Sequence, residues 1–231
     1  IDMLSVKNIE ASYGHAKVLH AISLEVQSGE MVFIAGRNGA GKTTLLKSIA
    51  GFLTPSTGSI TFDDNSIMGL PAEKIALSGI RYVFQDKRVF SQLSVRENLE
   101  LAAYPVKVKI ADAIQKVVSI YPKIEKFLNL RAGSLSGGQR QILLIGRALI
   151  GNPKLLLIDE PTEGLAAGTI NDILDVLATM KGKVSMLIVE QNLSVVGMLA
   201  DKVYMMKEGK IVREVTDKAQ MNNKLELEQC L

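Results

Sequence analysis

Apolar and polar residues alternate from Met3 to Ser12 and again from Val18 to Val26, the pattern of half-buried strands. Ser28-Gly29 then turns the chain into Met31–Ala35, a continuous apolar run that predicts a strand buried on both faces. Ile80–Phe84, Leu155–Ile158 and Val184–Val189 predict buried strands, and Ser59–Phe62 a short one. Between these runs the period becomes helical. Thr43–Ala50 predicts a helix, stopped by Gly51 and followed by Pro55. From Ser94 to about Leu130, apolar residues recur at Val95, Leu99, Ala102, Ile110, Ile114, Val117 and Val118, which predicts a mostly helical insert. Ser136, with Gln139 three positions on, predicts a capping box and a helix running to about Ile150, before Gly151 and Pro153. Thr169–Met180 predicts a further helix. Val203–Met206 and Ile211–Val215 flank Gly209 as an antiparallel pair, and the polar tail from Asp217 is helical or loose.

Strands alternate with helices through the middle of the chain, so the core is expected to be a mainly parallel sheet flanked by helices. The first strands and the last pair are antiparallel in character, which makes the fold class mixed α/β. One unit over residues 1–231 is expected, with a helical subdomain across approximately 91–150.

Composition narrows this picture. With 231 residues and 47% hydrophobic content, the chain can bury one sizeable core. Its 27 basic and 24 acidic residues are spread evenly, and Lys107 with Lys109 is the nearest thing to a basic cluster, so no nucleic-acid partner is expected. The lone cysteine, Cys230, can form no disulfide within the chain and fits a reducing compartment. The chain opens with Asp2 and alternates at once, unlike a secretory signal. No stretch approaches the roughly 20 apolar residues that span a bilayer, so a soluble chain is expected, reaching any membrane through partners.

Gly36-Arg37-Asn38-Gly39-Ala40-Gly41-Lys42-Thr43-Thr44 satisfies G-x-x-x-x-G-K-[ST] between a buried strand and a helix, the context this phosphate-binding loop requires. Glycines let the backbone N–H groups curl toward phosphate oxygens, and the helix start adds positive potential. Lys42 is expected to reach the outer phosphates and Thr43 to ligate Mg²⁺. Leu155–Ile158 ends in Asp159-Glu160: the first can hold the metal, and the second, facing another way, can polarise an attacking water. Two acids at a strand exit are commonly plain surface residues, and the phosphate loop is what raises them above that.

Leu135-Ser136-Gly137-Gly138-Gln139 offers a second helix start with free N–H groups, which alone could be an ordinary cap. Lying between the phosphate loop and the acidic pair, it resembles the signature of ATP-binding cassette (ABC) ATPases, and the resemblance covers essentially the whole chain. It implies a P-loop NTPase core with an antiparallel β subdomain and a helical signature subdomain. It implies that Tyr13 stacks on adenine and that Gln85 touches Mg²⁺ and the attacking water and reports to a membrane subunit. It implies a head-to-tail dimer, homo- or heteromeric, in which Leu135–Gln139 completes the ATP site of the other chain. Membrane permease subunits would be further partners, placing the chain on the cytoplasmic, inner face of the cell membrane.

Two positions depart from the general pattern. Gln191 stands where the family has a histidine on the γ-phosphate, and glutamine cannot carry a proton at neutral pH. Ala166 stands where an aspartate is usual. Val189-Glu190-Gln191-Asn192, Glu163-Gly164-Leu165-Ala166 and Arg88-Val89-Phe90 resemble ATPase subunits of branched-chain amino-acid or urea importers, although Gln85 differs from the glutamate of that subgroup. An exporter cassette or a low-turnover nucleotide-binding regulatory subunit are the alternatives.

Overall fold

A computed structural model describes residues 2–231, so Ile1, counted in the expected single unit, lies outside the described residues. The two alternating runs form β1 (Asp2–Tyr13) and β2 (Ala16–Gln27), paired antiparallel. β4 (Thr57–Phe62) adds to the other side of β1, and β5 (Asn65–Ser66) pairs with β4. Among the described residues these make a four-stranded sheet in the order β2-β1-β4-β5.

The apolar runs build a second sheet of six strands. Its order is β10 (Lys210–Val215), β9 (Lys202–Lys207), β3 (Met31–Ala35), β8 (Ser185–Glu190), β7 (Leu155–Asp159) and β6 (Ile80–Val83). All neighbours are parallel except the β9–β10 hairpin at the edge. Both faces of this sheet are covered, which is why its strands are apolar throughout. Met31, Phe33, Leu156, Ile158, Met186 and Ile188 pack against α3 (Val95–Ala103), α4 (Ile110–Ile120), α5 (Gly137–Leu149), α6 (Ala167–Met180) and α7 (Leu193–Leu199). Val32, Ile34, Leu157, Leu187 and Val189 face the opposite way, onto α1 (Lys42–Ile49) and the inner residues of the four-stranded sheet.

Several expectations shift at their edges. The run Ile80–Phe84 leaves the sheet at Val83, because Phe84 turns outward to stack with Tyr82 and Phe52, at ring-centroid distances of 4.2 and 5.3 Å. The insert from Ser94 contains α3, α4 and a 3-10 turn at Pro122–Phe127. The tail forms two short helices, α8 (Lys218–Asn222) and α9 (Lys224–Glu228), pinned by buried Met221 and Leu227. α2 (Ala72–Leu77) and α7 carry no strong periodic signal and were not expected from the pattern.

Register brings the chemistry to one edge. Ala35 pairs with Glu190 and Asp159 with Val189, so the carboxyl ends of β3, β7 and β8 finish side by side. In open α/β sheets that edge is where ligands bind.

Candidate functional site

The loop after β3 wraps back over the sheet edge and enters α1 through Gly41. Gly41 caps α1 with φ +102°, a left-handed value that any side chain would strain. The N–H groups of the first helical turn have no intrahelical acceptor and face the loop. Lys42 curls under it: its ammonium donates to the carbonyls of Gly36 at 2.8 Å and Arg37 at 3.1 Å, and pairs with Glu160 at 3.1 Å. A cleft lined by Asn38, Gly39, Gly41–Thr44, Val18, Gln85 and Glu160 opens above.

Asp159 and Glu160 diverge, since Asp159 ends β7 and Glu160 lies just past it. Asp159 accepts from the Thr43 hydroxyl at 3.1 Å and from the Tyr82 hydroxyl at 2.8 Å. Burial pushes its carboxyl above the usual range, the Tyr82 and Thr43 hydrogen bonds pull it back, and Glu160's charge raises it again. Burial and then the charge of Asp159 hold the Tyr82 phenol well above its ordinary value, so it stays a donor. Glu160 has turned off the strand into a left-handed backbone conformation, φ +44°, and its carboxylate faces Lys42.

The structure brings together Gly36–Thr44, Gln85, Asp159 and Glu160. Gln85 reaches the site from the segment after β6, its amide donating to Glu163 at 2.6 Å and to Glu160 at 3.4 Å. Tyr13 sits half-exposed at the β1–β2 turn. Gln191 is exposed in a neighbouring cleft with Arg37 and Asn192, outside the lining of the phosphate-loop cleft. Leu135–Gln139 also lies outside that lining. Its predicted capping box is formed: Ser136 Oγ accepts from the Gln139 N–H at 3.2 Å, and Gln139 Oε1 accepts from the Ser136 N–H at 2.9 Å. Sequence reasoning missed Tyr82, whose only signal was its place in an apolar strand.

Comparison with known proteins gives the family. The family model described as ABC transporter matches residues 19–163. A high-affinity branched-chain amino acid transport ATP-binding protein of Pseudomonas aeruginosa is 39% identical over 96% of both chains. The chain belongs to the ABC transporter family. As one of that family's ATP-binding cassettes it is an ATPase. A glutamate/aspartate import ATP-binding protein of Escherichia coli is 36% identical, over 92% of this chain and 90% of that protein. Among solved structures, the ADP conformation of an ABC transporter cassette superposes with a TM-score of 0.86 at 28% identity, over 100% and 98% of the two chains. A dimeric post-hydrolysis cassette bound to ADP and phosphate gives 0.82 at 26% identity, over 93% and 98%.

In this cassette Gly138, at the start of α5, has a packing reason. A Cβ on Gly138 would lie 1.7 Å from Thr169 Cγ2, so α5 and the start of α6 can approach only with glycine there. Among the described residues no helix is long and apolar enough to cross a membrane.

Proposed function

We propose that this cassette hydrolyses ATP to drive import of branched-chain amino acids, or of a related small solute, through separate permease subunits. The observation that carries the reading is the buried Lys42–Glu160 pair at the mouth of the phosphate loop, beside Asp159 and Thr43. The solute assignment is supported by 39% identity to the branched-chain amino acid transport relative. The acidic amino-acid import relative, at 36%, supports amino-acid import more broadly.

In this reading the triphosphate takes the cleft above Gly36–Thr44, with Lys42 turning from Glu160 to the outer phosphates and Tyr13 against the base. The Thr43 hydroxyl, the Asp159 carboxylate and the Gln85 amide oxygen are hard oxygen donors, a set that suits Mg²⁺ with few protein ligands. Bound Mg²⁺ would neutralise charge building on the phosphates. Glu160, released from Lys42, accepts a proton from the attacking water. Gln191 donates to the γ-phosphate when the 191–192 loop closes, in place of a histidine.

Leu135–Gln139 faces a second cassette, identical or paralogous, and supplies N–H groups to that cassette's ATP. Residues 91–150 form the helical subdomain that carries it. An apolar cleft of about 700 Å³ runs from Leu77 and Phe84 to Leu101 and Val106, beside the Gln85 segment. Its exposed Leu77 and Phe84 suit a permease segment, which would hold the chain at the inner face of the cell membrane.

Steady-state ATP turnover of the assembled transporter, compared with its Glu160→Gln variant, tests the reading. Wild-type turnover no faster than the variant's overturns it. The exposed position of Gln191, outside the cleft lining, favours one second reading, a low-turnover regulatory subunit, which that same null result would support.

A further inference from the structure

The end of β8 holds a carboxylate that the chemistry above does not use. Glu190 is 2% exposed. Its Oε1 accepts from the Thr162 hydroxyl at 2.6 Å and the Thr162 N–H at 3.1 Å. Its Oε2 accepts from the N–H groups of Gln191 at 3.0 Å and Asn192 at 3.1 Å. No ion pair to Glu190 forms among the described residues, although Lys87 feels its charge. A buried carboxylate is tolerated only when its oxygens are met by donors, and all four here come from two loops.

Those two loops flank the reacting centre. Thr162 is two residues past Glu160, and Gln191 opens the loop after β8. The preceding residue of β8 takes part as well, since the Glu160 N–H donates to the Val189 carbonyl at 3.0 Å. Glu160 is thus braced on both sides by the end of β8: directly at its own N–H, and two residues on through Glu190. The bracing has a purpose, because the left-handed conformation of Glu160 strains a non-glycine residue and must be over-determined by its surroundings.

We infer that Glu190 is a positioning residue for hydrolysis, locking the 161–162 backbone to the 191–192 backbone so that Glu160 and Gln191 are held in one frame. The inference rests on the ATPase reading of the site. It also makes the two loops a single mechanical unit: a shift of Gln191 toward or away from phosphate is transmitted to the turn that aims Glu160.

Glu190→Gln keeps the volume but turns an amide NH₂ toward either Thr162 or the Gln191 and Asn192 N–H groups, so one side of the brace is lost. Thr162→Val removes one donor, and Thr162→Ser restores it. In the assembled transporter, Glu190→Gln is expected to lower kcat at least tenfold with the ATP Kd within twofold of wild type. Thr162→Val is expected to lower kcat about threefold, and Thr162→Ser to return it to wild type. Adding Glu190→Gln to Glu160→Gln should change turnover less than twofold. An unchanged kcat in Glu190→Gln, a loss of ATP affinity matching the loss of kcat, or a Thr162→Ser variant as impaired as Thr162→Val overturns the inference. If Glu190→Gln does not fold, the Thr162 pair decides alone. Wild-type turnover no faster than Glu160→Gln would instead overturn the ATPase reading, and the inference with it.

Discussion

The ammonium of Lys42 lies 3.1 Å from the carboxylate of Glu160, and both side chains are almost wholly withdrawn from water. Lys42 is therefore neutralised before any phosphate arrives, and an incoming triphosphate must displace Glu160. Glu160→Gln removes both that competitor and the proposed proton acceptor. ATP is expected to bind about tenfold more tightly to the variant, equivalent to 1.4 kcal/mol. Turnover should fall by roughly 10²–10⁴. Equilibrium titration with ATP and a phosphate-release assay check the two halves separately.

Tyr82 and Asp159 make a pH-dependent pair. Burial raises the Asp159 carboxyl, and the Tyr82 hydrogen bond opposes that rise. Tyr82→Phe removes the opposing bond, so the carboxyl moves further up. If Asp159 acts ionised, as proposed, the acid limb of kcat/KM is expected to shift to higher pH, with the plateau little changed. The sign for stability is the same: a raised folded carboxyl binds its proton more tightly than the unfolded one. Asp159 therefore costs stability as pH rises through its folded value, and more so in the variant. A pH–rate profile and thermal unfolding at two pH values measure both.

Much of the frame was legible because the sheet is buried on both faces. Met31–Ala35 and Leu155–Ile158 could hardly be anything else, and Ser136 with Gln139 announced its own helix start. Tyr82, Glu163 and Glu190 were not legible. Tyr82 meets Asp159 only because β6 lies in parallel register with β7, and their separation of 77 residues leaves no local trace. Glu190 finds Thr162 across 28 residues for the same reason. α7 left one faint cue, Asn192 capping the Ser194 N–H, but it is short, and its exposed face, Ser194 and Met198, carries a methionine that hides the polar period.

Gly138 separates packing from chemistry. Gly138→Ala would drive a Cβ into Thr169 and is expected to destabilise the fold by about 1–3 kcal/mol. Thr169→Ala removes the Cγ2 that clashes most, so the double variant should recover most of the lost thermal midpoint. If the glycine also lets a partner's phosphate approach α5, the recovered fold will still hydrolyse ATP slowly.

Glu163 straps the Gln85 segment to the loop after Glu160: its carboxylate takes the Gln85 amide and its carbonyl takes the Lys87 ammonium. Glu163→Ala removes the first contact and keeps the second. Basal ATP turnover is expected to change less than twofold, while the stimulation of turnover by permease subunits and solute should drop severalfold. Paired ATPase assays on the free cassette and the assembled transporter distinguish the two.

The capping box at Ser136 has a bearing on how two cassettes meet. The Ser136 hydroxyl accepts from the Gln139 N–H and the Gln139 side-chain oxygen from the Ser136 N–H, so the start of α5 is already ordered within one chain. In the proposed dimer, little entropy would be lost at that surface on encounter. A second cassette docking there, as proposed above, would meet a preformed surface, and the speed of joining would be set by encounter rather than by a local folding step.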